Sequence, residues 1–458
     1  MNEPYDNGSF WFSSLDELKR PEPPEQLPRQ VDIAIIGAGF TGLWTAYYLN
    51  LANPDLDIAV FEASTVGFGA SGRNGGWCMG WAMGIDAMIT RPEMAAQGLS
   101  IARAMQDTVD EIGRVCQGEN IDCHYAKGGT LTIATKPFEI KQMQALVAER
   151  HKIGFSESDF VWLDEATSKQ RLNMIPNYGA VYTPHCASIH PARLVRGLGD
   201  VLRTKGVKIY ERTPVISFEK NKLDTNLGSV IAPVIIRATE GYTDSIKGQE
   251  RHLMPLYSMM VATEPLPDHV WDDIGLRQRE TFGDNRRVTI YGQRTLDNRF
   301  AFGGRAGYYF GSKRKPVIPE DDPHLPKVER SLRELFPMLG PYSITHKWGG
   351  LMGVPRHWRP SVSFDQQSGI GTAGGYTGEG VGASNLAARI LTDLVLEKKT
   401  DITRLAWVND VPRRWEPEPL RWLGASAIQW SGDRADKVEM RSGKQSRFWG
   451  SLFERFVG

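Results

Sequence analysis

The chain has 458 residues, with 54 basic and 54 acidic side chains and no formal net charge. Balanced charge gives no footing for a nucleic-acid or membrane-surface partner, no apolar run is long enough to span a bilayer, and the length fits two or three domains. Four cysteines without a C-x-x-C pair suit free thiols in a reducing compartment rather than a disulfide framework. The first thirty residues lack the basic and apolar regions of a secretory signal, so a cytoplasmic location is expected.

Pro21, Pro23, Pro24 and Pro28 predict an extended lead-in over residues 1–30. "VDIAIIGAG", from Val31, is a short apolar run ending in glycine, as strands covered on both faces read. "FTGLWTAYYLNLA" follows at helical spacing and "LDIAVFEA" reads as a second buried strand, so residues 31–62 form a strand–turn–helix–strand unit. A helical pattern runs from about Asp86 to Gln117. "GGTLTIATK" predicts a strand, "FEIKQMQALVAERHKIG" a helix, and "HPARLVRGLGDVLRTKGVKIYERTPVISFE" a helix followed by a strand. "APVIIRATEGYTDSI" reads as another buried strand, ending in small residues. Several strand-like runs between Leu256 and Gly304 predict an antiparallel sheet, and "HLPKVERSLRELFPML" returns to helix. "GIGTAGGYTGEGVGASNLAARILTDLVLEKK" is a glycine-rich turn feeding a long helix. The tail beyond residue 400 is basic with scattered aromatics; it is expected to dock back onto the chain, or onto a partner subunit, rather than to lie on a membrane.

"GAGFTG" places Gly37, Gly39 and Gly42 in G-x-G-x-x-G spacing between the first strand and its helix. The first glycine permits the tight turn, the second lets a pyrophosphate approach the backbone, and the third lets helix pack on strand. The helix start, Phe40–Thr41, turns its N–H groups and positive dipole end to the phosphates. Glu62 ends the second strand, where a carboxylate accepts hydrogen bonds from ribose hydroxyls and repels a 2′-phosphate. A second glycine-rich stretch follows at once, "FEASTVGFGASGRNGGWCMG". An NAD domain has no need of it, whereas backbone running beside a long flat cofactor favours FAD, with Ser71, Arg73 and Asn74 offering hydrogen bonds. His185 and His190 lie five apart without an evident third ligand, so no metal site is expected, and "HPARL" reads as a helix start. Cys78 reads as a buried thiol rather than a flavin attachment point.

Together, "VDIAIIGAGFTGL", "FEASTVGFGASGRNGG", "HPARLVRGL", "YERTPV", "RATEGYT", "DNRFAFGGR" and "GGYTGEGV" resemble the D-amino-acid-oxidase-like superfamily of FAD-dependent amine oxidoreductases, and within it the γ-glutamylputrescine oxidases and related bacterial amine oxidases. The resemblance runs from about Phe10 to about Lys399. It implies an α/β fold in which a Rossmann-like FAD-binding domain of glutathione-reductase type (31–85, 187–253 and 345–399) is interleaved with an antiparallel-sheet substrate domain plus helices (86–186 and 254–344), followed by an extension over 400–458. It implies non-covalent FAD held by Gly37, Gly39, Phe40, Thr41, Gly42, Glu62 and Ala63. Gly69, Ala70, Ser71, Arg73, Asn74, Gly75 and Gly76 pass the flavin. Val215 meets the adenine, Ala238 and Thr239 flank the pyrophosphate or ribose, and Gly378, Glu379, Gly380 and Val381 turn over the pyrimidine edge. There, the N-terminus of the helix near Val381 favours the anion of reduced flavin.

The activity implied is oxidation of an amine C–N bond. The substrate C–H gives a hydride equivalent to flavin N5, and the imine is hydrolysed to an aldehyde or keto product. Oxygen is the expected acceptor, with peroxide formed; a dehydrogenase using another acceptor and a non-catalytic flavin-binding subunit are the alternatives. Two departures stand out. Glu379 replaces a histidine frequent in the last turn, and "RFAFGG" lacks the flavin-side lysine that some oxidases carry. No protein group is assigned as the catalytic acid or base. An alkyl amine with a pKa near 10.4 costs roughly 4–5 kcal/mol to deprotonate at neutral pH, and a dry aromatic pocket lowers that cost. Tyr257, Met259, Tyr308, Arg356 and Trp358 are the candidate substrate contacts, each with plain packing as its alternative. Arg356 either grips a carboxylate or phosphonate or joins an ion pair, and Glu379 either binds a second ammonium group or caps the following helix. The substrate class stays open among glutamylated polyamines, amino acids, N-methyl amines and aminophosphonates.

Overall fold

The computed structural model describes residues 8–15, 21–305, 307–319 and 321–457. Ile33–Ile36, Ile58–Phe61, Lys208–Tyr210 and Val234–Arg237 form the parallel heart of a six-stranded sheet. Ile33 sits beside both Val234 and Ile58 in register, and all four residues of Ile33–Ile36 are buried, which is why this stretch reads as an unbroken apolar run. Ile370–Gly374 extends the sheet in parallel, and Ser361–Asp365 closes its edge antiparallel. Helices Phe40–Ala52, Pro191–Thr204 and Gly380–Val395 cover one face in a single apolar cluster.

The second sheet has eight strands, with Ile344–Val354, Met254–Thr263, Phe300–Arg305 and Ile290–Arg294 antiparallel in that order. It is not antiparallel throughout, because Thr281–Asp284 pairs in parallel with Thr130–Ile133. The segment expected as 345–399 straddles both sheets. Ile344–Val354 pairs along its length with Met254–Thr263, and only Ser361–Asp365 and Ile370–Gly374 join the first sheet. The helical pattern of 86–117 splits into Ile85–Ile89 and Ala95–Gly118, with Pro92 in the break, where a ring in place of an N–H stops the helix ladder.

Of the lead-in, residues 1–7 and 16–20 lie outside the described residues. Phe10–Ser13 is a short helix rather than extended chain, and Phe10, Trp11 and Phe12 are buried. Trp11 Nε1 donates to Asn74 O at 2.8 Å, so the lead-in packs beneath the second glycine-rich loop. The tail docks back onto the chain through helix Leu420–Ser442. Asp436 accepts from the backbone N–H groups of Arg287 and Val288, and Glu439 from the Arg287 guanidinium. No helix among the described residues is long and apolar enough to cross a membrane.

Candidate active site

The carboxyl ends of the parallel strands converge on one loop cluster, where open α/β sheets bind ligands. Gly37 accepts φ +104° and its N–H donates to Phe61 O at 2.8 Å. A Cβ on Gly42 would fall 2.0 Å from Gly37 O, so the turn and the helix behind it tolerate no side chain there. Glu62 is half-buried and takes the N–H groups of Ala38 and Ser64, each at 2.8 Å. Burial pushes its carboxyl up to about 7 against the pull of those N–H groups. Thr213 N–H reaches Glu62 O at 2.7 Å, which brings Val215 to the same strand ends. Ala238 N–H bonds Ile36 O, and Ala238 O lies 2.7 Å from where a Gly37 Cβ would sit. Thr239 Oγ1 lies 2.9 Å from Thr243 Oγ1 at the start of the turn Glu240–Ser245. The structure thus brings Gly37–Gly42, Glu62, Val215, Ala238 and Thr239 together.

In the second glycine-rich loop, the side chains serve the loop itself. Ser71 Oγ accepts from Phe40 N–H at 2.8 Å and caps the nucleotide helix from outside it. Asn74 donates to Ala70 O and Ser71 O and accepts from Gly76 N–H. A Cβ on Gly75 would fall 2.5 Å from the Tyr291 ring, and Gln293 Nε2 donates to Gly75 O at 2.7 Å. These glycines let the loop pass tightly over the second sheet.

Arg73 differs from its neighbours. It is 2% exposed, its Nη1 donates to Pro316 O at 2.7 Å, and its guanidinium lies 4.4 Å over the Phe68 ring. Its Nε and Nη2 are buried with no hydrogen-bond partner among the described residues. Burial pushes the nearby Tyr242 hydroxyl up to about 12, with the Arg73 charge pulling it down.

The turn expected over the flavin edge is built by a residue that the sequence reading left unassigned. Glu240 accepts from Gly375 N–H at 2.9 Å and Tyr376 N–H at 3.2 Å, and burial pushes its carboxyl up to about 7. It ties the end of strand Val234–Arg237 to the approach of Gly378–Val381, and Tyr376 OH meets Thr41 Oγ1 at 2.9 Å. Glu379 occupies the N-cap position of helix Gly380–Val395 without a side-chain cap bond. The usable signal was the interrupted strand "WGGLMG": glycines inside a strand mark close backbone approach. Gly353 indeed abuts Glu240, and Gly350 abuts Arg73.

The substrate-side candidates have packing or ion-pair partners of their own. Strand Met254–Thr263 alternates, and Tyr257 and Met259 point into the cluster covered by helix Leu325–Leu335. The opposite face carries Ser258, bonded to Tyr291 OH at 2.7 Å, and Met260; Tyr291, Gln293 and Trp348 are the side chains that meet the loop around Arg73. Tyr257 OH is further engaged by the Lys315 peptide. Arg356 pairs with Glu416 at 3.2 Å, which is the ion-pair alternative. Trp358 packs with Trp415, and Tyr308 bonds Glu418. Met352, whose Sδ lies 3.9 Å from where a Gly378 Cβ would sit, is the side chain of this sheet that borders the expected flavin turn.

Residues weighed for other chemistry have structural partners. His190 caps helix Pro191–Thr204 through Nδ1, and His185 bonds Asp159 at 2.9 Å. No group of three or more metal-ligating side chains occurs among the described residues. Cys78 is buried and its thiol is pushed well up by that burial.

The family profile for FAD dependent oxidoreductases matches residues 32–394. Among curated relatives, a probable oxidoreductase OrdL of Rhizobium meliloti (strain 1021) is 28% identical over 411 residues, covering 88% of this chain and 91% of the relative. The gamma-glutamylputrescine oxidoreductase of Escherichia coli (strain K12) is 27% identical over 379 residues, covering 80% and 83%. Among solved structures, glycine oxidase from Geobacillus kaustophilus superposes with a TM-score of 0.69 at 18% identity, covering 84% of this chain and all of that one. L-proline dehydrogenase from P. horikoshii gives 0.67 at 18%, covering 82% and 96%. Both share the fold. The glycine turn that a Cβ at Gly42 would fill, with Glu62 at the neighbouring strand end, fits the ADP half of FAD. This chain belongs to the family of FAD-dependent oxidoreductases.

Proposed function

We propose that the chain oxidises the C–N bond of a small amine that also carries an anionic group, passing the electrons through FAD to oxygen, with an aldehyde or keto product and hydrogen peroxide. The observation that carries this reading is Arg73. A buried guanidinium with two unmade hydrogen bonds is costly, and a carboxylate or phosphonate offsets that cost by bidentate pairing. Amino acids, γ-glutamylated amines and aminophosphonates meet this demand, whereas plain alkyl amines do not. The γ-glutamyl amine and the glycine named for two of the relatives each join an amine to a carboxylate.

Gly37–Gly42, Glu62, Val215, Ala238 and Thr239 are the residues to hold the ADP half, and Gly69–Gly76 with Gly378–Val381 those to flank the flavin. FAD bound there supplies the two-electron oxidation. The chain's own side chains do the rest. Phe68 and Tyr242 beside Arg73 keep the pocket dry, and both the dryness and the Arg73 charge disfavour the ammonium form, so the amine is bound neutral. A panel of amines, scored for peroxide release, tests the reading; release only from amines without an anionic group contradicts it.

A dehydrogenase is the second reading. Strand Phe300–Arg305 has no lysine, and Lys315 and Lys347 are held by Asp322 at 2.6 Å and Glu329 at 2.9 Å. Turnover with an artificial dye but no oxygen uptake selects it.

A further inference from the structure

The tail lies outside the residues matched by the family profile, which end at 394, yet it reaches the wall of the candidate pocket. Segment 307–319 connects strand Phe300–Arg305 to helix Leu325–Leu335 and passes over Arg73. Its Pro316 carbonyl takes Arg73 Nη1, and its Lys315 N–H donates to Tyr257 OH at 2.7 Å. Arg314 ties it to Asp244 of the nucleotide domain at 2.7 Å. Its other end is held by the tail. Glu418 Oε1 accepts from Tyr308 OH and, at 3.2 Å, from Gly311 N–H. Arg421, 7% exposed, bonds the same carboxylate at 3.3 Å, and its guanidinium lies 5.4 Å over the Tyr308 ring. Phe310 meets Trp422 edge-on at 6.0 Å. Just upstream, Trp415 Nε1 donates to Val354 O at 2.7 Å and packs in one cluster with Met352 and Trp358, beside the expected flavin turn.

We propose that the tail is a working part of the active site: Glu418 is a positioning residue that latches segment 307–319 through Tyr308 and Gly311, and so holds the carbonyl that orients Arg73. The inference rests on the assignment of Arg73 to the substrate anion, and it adds that substrate fit depends on a carboxylate 110 residues beyond Tyr308 in sequence. Because the latch acts on how the anion is gripped, its loss weakens substrate binding more than the step that follows. Glutamine at 418 still accepts one hydrogen bond at the same place, so it restores much of what alanine removes.

The test uses the full-length flavin-loaded enzyme as wild type, Glu418→Ala, Glu418→Gln and Tyr308→Phe, with two readouts. In the first, steady-state kinetics with the best anionic amine, KM is expected to rise about tenfold in Glu418→Ala, less in Glu418→Gln and Tyr308→Phe, with kcat within about threefold. The second, trypsin nicking at Lys313 and Arg314, needs no substrate; nicking is expected to quicken about tenfold in Glu418→Ala and to stay near the wild-type rate in Glu418→Gln. If no amine is oxidised while nicking quickens, the functional reading fails and the latch stands. If nicking and KM are both unchanged in Glu418→Ala, or, should that variant not fold, in Tyr308→Phe, the latch is overturned. Nicking that quickens with KM unchanged overturns the tail's part in substrate fit.

Discussion

At the carboxyl ends of the six-stranded sheet, the candidate cofactor cradle is made mainly of backbone: the Gly37 turn, the Phe40 helix start and the N–H groups that Glu62 gathers from Ala38 and Ser64. Across from it, the second glycine-rich loop, the eight-stranded sheet and the tail build a wall from side chains, with Arg73 stacked on Phe68, Tyr308 bonded to Glu418, and Trp415 beside Met352. A backbone site demands particular residue types at fixed spacing because a Cβ in the wrong place collides. A side-chain wall demands only that some group of suitable size and charge arrive there. The first kind of site therefore gives all-or-none responses to substitution, and the second gives graded ones.

The largest effect is expected on the cradle. Gly42→Ala drives a methyl into the Gly37 carbonyl, an overlap costing about 1–3 kcal/mol or more; the purified protein is expected to lose most of its flavin, read as the ratio of flavin to protein absorbance. Full flavin content in this variant would break the contrast. Next is Arg73→Met, expected to lower kcat/KM about 10–100-fold for anionic amines while leaving flavin content unchanged; equal losses on neutral and anionic amines would remove the assigned role.

A paired substitution sharpens the division within the second sheet. Met259→Ala is expected to cost about 2–5 kcal/mol of stability with KM unchanged, because Met259 sits in the core under helix Leu325–Leu335. Met352→Ala is expected to shift KM several-fold with a smaller loss of stability. Denaturant unfolding and steady-state kinetics on both variants check this; the reverse pattern puts Met259 back in the pocket.

The difference also explains what the sequence could say. The glycine spacing of "GAGFTG" and the acid at Glu62 are legible because backbone sterics permit little else. His190 as a helix start is legible for a similar reason, since Pro191 has no N–H to lose at the first helical position. Tyr257 and Met259 share the face under helix Leu325–Leu335, while Ser258 and Met260 take the other; strand parity has a period of two, and the sequence alone does not say which parity a strand turns to a site. Glu240 serves the flavin turn from 135 residues away, and Glu418 holds Tyr308 from 110; no local pattern encodes either meeting. Arg73 is visible as a residue but the two open donors at its Nε and Nη2 are not, because an unmade hydrogen bond is a property of the folded surroundings.

The smallest expected effect concerns pH. Burial raises the Glu240 carboxyl from its ordinary value of 4.5 to about 7, so the folded state binds an extra proton between those values. Stability from this group is full below about pH 4.5 and is lost as pH rises through about 7, at most roughly 1.4 kcal/mol per pH unit. Glu62 carries a like shift. Glu240→Gln is expected to remove about half of the fall in thermal midpoint between about pH 5 and 8 that the two carboxyls cause; an unaltered slope would show that Glu240 is not buried as a neutral acid.

The most direct test of the functional reading is an anaerobic titration of the purified yellow protein with amines, followed by the visible absorption of its flavin. Amines bearing a carboxylate or phosphonate are expected to bleach it, and admitting air to restore the colour with about one peroxide per flavin. Flavin that no amine bleaches would contradict the assignment.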